Sequence, residues 1–181
     1  MAGTDVDAVL IRPDWPAPPQ VHAAATTRLG GVSEGPWSSL NLGQHVGDRP
    51  QAVAENRARL TALLALPAAP LWLDQVYAAQ VVGAHEWHAG LRADGCFARR
   101  PAEVCVVMTA DCLPVLLCDR DGRAVAALHA GWRGLAAGVL DSGVAAFEQA
   151  GSAAGELLAW LGPAIGIDVY DGKSIYTADD L

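Results

Sequence analysis

Apolar residues crowd into three short runs of the chain, 104–108, 114–118 and 125–129. Each is too short for a globular helix, and each predicts a mostly buried strand. Asp119-Arg120-Asp121-Gly122 is a turn signal between the second and third. Residues 157–161 predict a further buried strand and 21–27 another, while 71–82 reads as an interrupted strand pair. Two segments carry helical spacing. Asp48 stands as an N-cap with Pro50 just inside, and Val53, Leu60, Leu63 and Leu64 form an apolar stripe opposite the polar run Glu55-Asn56-Arg57, giving an amphipathic helix to about residue 66. Residues 136–149 predict a second helix, with Leu140, Val144 and Phe147 as its apolar positions. Four prolines make 12–19 an extended lead-in, and 28–37 is a loop containing Gly30, Gly31, Gly35 and Pro36. The adjacent glycines allow close backbone approach or positive φ. Strands and helices mix without a regular βαβ rhythm, which predicts an α+β fold with a mixed β-sheet core and flanking helices.

No repeat, low-complexity run or interdomain linker interrupts the chain, and 181 residues suit one domain over 1–181. With 52% hydrophobic and 18% charged residues, there is ample material for a core and none of the signature of disorder. A net charge of −8 argues against nucleic acid as a partner, which needs a basic face. A small anion remains admissible, because one or two arginines in a pocket suffice to hold it. No window reaches the apolar length of a membrane span, and residues 1–10 lack the basic-then-apolar order of a signal peptide, so a cytoplasmic location is the default expectation. Cys96, Cys105, Cys112 and Cys118 form no CxxC pair. Three of the four read as buried thiols.

Four clusters are candidates for chemistry. In Thr109-Ala110-Asp111-Cys112-Leu113-Pro114, polar residues interrupt two buried strands. Pro114 suits a strand end, which places Asp111 and Cys112 there too. A thiolate is a soft metal ligand and a nucleophile; a core cysteine beside a turn aspartate is an equally open reading. In His129-Ala130-Gly131-Trp132-Arg133-Gly134, a histidine ends a buried strand ahead of a helix. Its imidazole can bind zinc, and Arg133 can hold an anion; the alternative is a satisfied core histidine with Trp132 as packing. The third cluster is the loop 26–33 with Arg28, followed by 39–43 with Asn41 and 45–48 with His45. It is neither GxGxxG nor a P-loop, so it reads first as structural. His85-Glu86-Trp87-His88 lacks the HExxH spacing and reads as a solvated loop.

Taken together, Thr27-Arg28-Leu29-Gly30-Gly31-Val32-Ser33, Ser39-Leu40-Asn41-Leu42-Gly43, Glu55-Asn56-Arg57, Asp74-Gln75-Val76, the Thr109–Pro114 and His129–Gly134 clusters and Gly162-Pro163-Ala164-Ile165-Gly166 resemble the laccase-domain family, also called YfiH-type or multicopper polyphenol oxidase-type. The resemblance runs over about 21–166. It implies a single α+β laccase-type domain and a purine nucleoside phosphorylase that cleaves adenosine, inosine, guanosine or methylthioadenosine with phosphate, with adenosine deamination as a further activity. An older label for the family is copper-dependent phenol oxidation. The resemblance also implies a His-Cys-His metal site, usually zinc with copper as the alternative. Cys112 and His129 match its second and third ligands. Tyr77 stands where the first histidine is expected, and Ala78 where a glycine follows it. A phenol, with an ordinary pKa of about 10, is a weaker donor than neutral imidazole.

In the expected mechanism, phosphate attacks the anomeric carbon as the purine departs. Arg28 and Arg133 hold the phosphate, Asn41 and His45 contact ribose or base, and Asp111 serves as general acid–base or ligand orienter. Metal on Cys112 and His129, with Tyr77 beside them, polarises a substrate oxygen or activates water. A copper phenol oxidase is the competing enzyme, and a degenerate binding or structural paralogue is the non-enzymatic reading. After Gly166 the match becomes poor. The single lysine, Lys173, and two of the four isoleucines, Ile167 and Ile175, fall in this divergent tail over 167–181, which suggests a truncated or foreign end. Uncovered sheet edges are then expected to favour pairing with a partner, a homo-oligomer included.

Overall fold

The computed structural model describes residues 6–166. The expected tail over 167–181 lies outside the described residues. The architecture is α+β, as the mixed pattern predicts. A short helix α1 (Val6–Val9) leads into β1 (Leu10–Ile11), which pairs antiparallel with β2 (Ala25–Thr26). The main sheet has five strands: β3 (Val81–Gly83), β4 (Gly95–Ala98), β5 (Leu113–Asp119), β6 (Val125–Ala130) and β7 (Leu157–Leu161). Their spatial order is β3-β4-β6-β5-β7, with β3 and β4 parallel and the other neighbours antiparallel. The helices are α2 (Pro50–Leu63), α3 (Trp132–Ala137) and α4 (Val139–Gln149).

The hydrophobic alternation of β5 and β6 divides the sheet into two faces. Val115, Leu117, Ala126, Leu128 and Ala130 pack with Val139 and Phe147 of α4 in one buried cluster. Phe147 is fully buried and meets the Phe97 ring edge-on, with centroids 4.9 Å apart. Strand alternation turns Pro114, Leu116, Ala127, His129 and Trp160 to the opposite face, where they line an open cleft of about 1940 Å³. Pro114 stands second in β5, near the strand start where proline is tolerated, and its carbonyl accepts from the N–H of Gly162, one residue past the end of β7.

Several expectations need correction. The strand over 21–27 is reduced to β2. Residues 104–108 form no strand; Cys105 makes an isolated bridge to Leu71. The Gln75 side chain occupies both backbone groups of Met108, donating to its carbonyl at 2.8 Å and accepting from its N–H at 2.6 Å. A side-chain amide thus takes the place of a partner strand. The pair over 71–82 comes down to β3 and isolated bridges at Leu71 and Asp74. The strand β4 was not expected, since Gly-Cys-Phe-Ala lacks β-branched residues and alternation; β6 recruits it by pairing.

The expected helix 136–149 is two helices. Gly138 adopts φ 92° between them, a left-handed turn open to glycine. The buried face of α4 is Val139, Gly143 and Phe147, while Leu140 is exposed. Strand β7 forms where expected but is not buried: it closes the described sheet edge, and Leu161 is largely exposed. The N-cap of α2 is Arg49, one residue beyond Asp48, and the helix ends at Leu63. Asn56, in the run expected to face water, is fully buried. Of the thiols, Cys96 and Cys118 are buried and Cys105 and Cys112 partly so.

Asp119 closes the β5–β6 turn onto the end of α4. Its carboxylate accepts from the Arg123 and Ala124 N–H groups and from the Ser152 hydroxyl at 2.9 Å. Burial pushes this carboxyl up, but those donors and the Arg123 charge outweigh it and hold it below its ordinary value. A depressed carboxyl stabilises the fold above its ordinary value, and the contribution is lost as pH falls through the folded value. The stability advantage of the native chain over Asp119→Asn, read from urea midpoints, is therefore expected in full above about pH 4 and to close at more acid pH. Phe147→Ala is expected to cost about 3–5 kcal/mol in the same measurement at neutral pH, because it empties the centre of the α4–sheet cluster.

Candidate active site

All eight residues nominated from the sequence line the one cleft: Arg28, Asn41, His45, Tyr77, Asp111, Cys112, His129 and Arg133. They arrive there from separate elements. Asp111 and Cys112 immediately precede β5, His129 is next to last in β6, and Arg133 is the second residue of α3. Tyr77 lies in the turn ahead of β3, and Arg28, Asn41 and His45 belong to the long connection from β2 to α2.

His129 is 2% exposed, and its Nδ1 lies 2.8 Å from Oδ1 of Asp94. Asp94, just ahead of β4, is fully buried and was not recognised from the sequence. Its Oδ1 also accepts from the Tyr77 N–H at 2.9 Å, and its Oδ2 accepts from the N–H groups of Ala78 at 2.8 Å and Val76 at 3.2 Å. Its backbone carbonyl accepts from the His129 N–H at 2.7 Å. Burial pushes the Asp94 carboxyl up; the His129 contact and the three backbone donors more than offset this and leave it below its ordinary value. The only sequence signal for Asp94 is a lone acid between apolar residues, which a turn explains equally well.

Tyr77 adopts φ 60°, uncommon for a bulky side chain, and its ring meets His129 edge-on with centroids 4.8 Å apart. Cys112 reaches the same place. A Cβ at Gly131 would sit 2.8 Å from Cys112 Sγ and 3.7 Å from His129 Cε1, so the missing side chain leaves room for both. Burial, then the charges of Asp111 and Asp94, push the Cys112 thiol up.

The basic groups stand on the cleft walls. Arg133 is half-buried, with its guanidinium 5.1 Å from the centroid of the exposed Trp132 ring. Arg28 donates from Nε at 2.7 Å, and from Nη2, to the Ser38 carbonyl. His45 is exposed. Asn41 is committed within its own loop: its Oδ1 accepts from the Gly43 N–H, and its Nδ2 donates to the Gly43 carbonyl and to Asp48. Asp48 also accepts from Ser33 at 2.6 Å. Asn56 of α2 pins this loop, accepting from the Val32 N–H and donating to Ser33 and to the Ser39 and Asn41 carbonyls. Gly30 has φ 88°, and a Cβ on Gly31 would lie 1.9 Å from the Ser39 carbonyl oxygen, so both uses expected of the paired glycines occur. The sequence reading also missed Arg57. It stacks 3.9 Å over Trp72 and donates to the Leu42 carbonyl, tying α2 to this loop. His85 and His88 lie exposed outside the cleft, as expected for a solvated loop.

The donors can be compared with a metal site. Cys112 and His129 converge, and a histidine whose Nδ1 is held by a carboxylate is the usual form of a ligand offering Nε2. Yet among the described residues no group of three His, Cys, Asp or Glu side chains could hold a metal ion. The side chain beside His129 is Tyr77, whose ring meets the imidazole edge-on. The set does not fit a three-ligand catalytic zinc.

The family model described as multi-copper polyphenol oxidoreductase laccase matches residues 22–176. The chain belongs to this family. It is 56% identical over 156 residues to a purine nucleoside phosphorylase of Pseudomonas aeruginosa, covering 86% of this chain and 62% of that protein. It is 54% identical over 158 residues to the purine nucleoside phosphorylase YfiH of Escherichia coli, covering 87% and 64%. The chain thus spans less than two thirds of the length of these relatives. Among solved structures it is similar to a Neisseria meningitidis protein, with TM-score 0.81, 49% identity and coverage of 89% of this chain and 65% of that one. A Bacillus licheniformis hypothetical protein YfiH superposes with TM-score 0.80 at 31% identity, covering 90% and 65%. Among the described residues no helix is long and apolar enough to cross a membrane.

If Tyr77 is what leaves the donor set short, Tyr77→His is expected to raise zinc content after equilibration with the metal, measured by elemental analysis of the desalted protein. Equal content in the two proteins would remove Tyr77 from the ligand position.

Proposed function

We propose that this chain carries the cleft of a purine nucleoside phosphorylase-type enzyme, with purine nucleoside and phosphate as substrates. The observation that carries the reading is the convergence of Cys112, His129, Asp111 and two arginines on one cleft, in a chain more than half identical over its matched length to relatives named for that activity. In phosphorolysis a phosphate oxygen forms a bond to the anomeric carbon while the bond from that carbon to the purine nitrogen breaks. The bonding electrons leave with the base, which takes up a proton. The sugar is cationic in the transition state, so a positioned phosphate serves as both nucleophile and counter-charge.

Arg133 is the first candidate for holding phosphate, because it stands half-buried on the wall beside His129 and guanidinium binds oxyanions in a bidentate fork. Arg28 supplements it from the loop, keeping its contact to Ser38. Asp111, exposed in the cleft beside Cys112, is the candidate proton donor to the departing base. His129 offers Nε2 toward ribose. His45 lines the same cleft from the loop and is the candidate contact to ribose or base, whereas Asn41 serves chiefly to shape the loop. Adenosine deamination is a lesser reading of the same cleft, since it requires an activated water. The short donor set, with Tyr77 as its third member, favours as a second reading a paralogue that binds ligand without turnover. It counts equally against copper-dependent phenol oxidation.

Purified protein incubated with inosine or adenosine and phosphate is expected to release free purine and ribose 1-phosphate. Arg133→Ala should raise the KM for phosphate about tenfold or more, which corresponds to loss of a charge-assisted contact of about 1.5–3 kcal/mol. Nucleoside binding without base release would establish the non-catalytic paralogue, and inosine formed from adenosine would establish deamination.

A further inference from the structure

We propose that Asp94 is a positioning residue of this site: it fixes the tautomer of His129 and, with the same carboxylate, clamps the Tyr77 turn against the imidazole. Three backbone N–H groups, from Val76, Tyr77 and Ala78, point at its two oxygens at 3.2, 2.9 and 2.8 Å. A carboxylate so surrounded is an acceptor on every side. The remaining partner, His129 Nδ1 at 2.8 Å, must then donate. A neutral imidazole that carries its proton on Nδ1 presents a bare Nε2 lone pair. His129 is 2% exposed and Asp94 fully buried, so water does not compete for this proton. The peptide groups reinforce the arrangement, because the His129 N–H also donates to the Asp94 carbonyl at 2.7 Å. That bond locks the backbone of β6 to the residue that orients its side chain.

The clamp adds a second constraint. Tyr77 is held at φ 60°, where a non-glycine residue does not rest without support. Its N–H shares Oδ1 with His129, so the turn and the imidazole are referenced to one atom. Phenol ring and imidazole then meet edge-on at 4.8 Å. A bare Nε2 is what hydrogen bonding to a ribose hydroxyl, proton acceptance or ligation requires, and the opposite tautomer serves none of these. The inference deepens the phosphorolytic reading and rests on it for the activity readout alone.

The test uses the full chain labelled with 15N in its histidines, with long-range 1H–15N correlation spectra recorded where the imidazoles are neutral. The native protein is expected to show His129 protonated on Nδ1 and bare on Nε2. In Asp94→Asn the amide oxygen keeps the two N–H donors at Oδ2, and the NH₂ takes the place of Oδ1, losing the Tyr77 N–H contact but donating to Nδ1 and driving the proton to Nε2. The spectrum should reverse, and kcat/KM for phosphorolysis should fall about 100-fold. A native His129 protonated on Nε2 overturns the proposal without any variant, so the test survives if Asp94→Asn does not fold. An unchanged tautomer in a folded Asp94→Asn protein also overturns it, and leaves Asp94 a merely structural acceptor. The spectra read the tautomer whether or not nucleoside is cleaved, so an inactive native chain sinks the functional reading and leaves this one standing or falling by itself.

Discussion

A single buried carboxylate holds the working end of this sheet together. Asp94 would be costly to bury alone, and its position is tenable because every direction around it supplies a donor. Four hydrogen bonds from two segments, 76–78 and His129, converge on it. Those segments are brought together by the pairing of β4 with both β3 and β6, which sets Asp94 at the top of the middle strand of three. Remove the carboxylate, and three peptide N–H groups and an imidazole nitrogen are left without their shared acceptor in a dry site. The positive φ of Tyr77 belongs to the same constraint: the turn bends unusually because its N–H groups must reach one pair of oxygens.

The second fixed point is Asn56. One amide on α2 satisfies the Val32 N–H, the Ser33 hydroxyl and the Ser39 and Asn41 carbonyls. Ser33 and Asn41 in turn supply the donors that, in that order, hold the Asp48 carboxyl below its ordinary value. The loop carrying Arg28 and His45 therefore lies on a polar scaffold centred on Asn56, beside an apolar contact in which its Leu40 and Leu42 pack with Val9, Leu10, Leu63 and Leu64. The covered sheet face, by contrast, is aliphatic and aromatic and carries α4. The two kinds of packing meet at the cleft. Its floor is the second sheet face, and its walls set the polar loop and the basic side chains beside apolar ones such as Leu42 and Trp132.

Much of the candidate site was legible because it is written in contiguous clusters. Asp111 and Cys112 precede β5, and His129 lies one residue from the end of β6 ahead of Arg133, because apolar runs broken by polar residues mark strand ends. The paired glycines likewise served the purposes that the pattern suggested. Other features were not legible for a common reason: their chemistry is set by partners far away in the chain. Asn56 looks like a surface residue of an amphipathic helix until the loop folds over it. Residues 104–108 look like a strand until Gln75 takes Met108's backbone groups. Residues 95–98 become a strand because β6 is already there to pair with them.

The feature that motivates the functional reading divides along the same line. Sequence alone determined the family motifs, the α+β class, the apolar runs of β5 and β6 and the nomination of Cys112 and His129, since these depend on residue type, order and short-range periodicity. Tertiary structure alone decided that His129 is oriented by a residue 35 positions away, that Cys112 shares the space over Gly131 with it, and that a tyrosine stands edge-on beside both. Local pattern records what a residue can do. A buried carboxylate acts only through the donors that folding brings to it, and their positions in the chain bear no fixed spacing to its own.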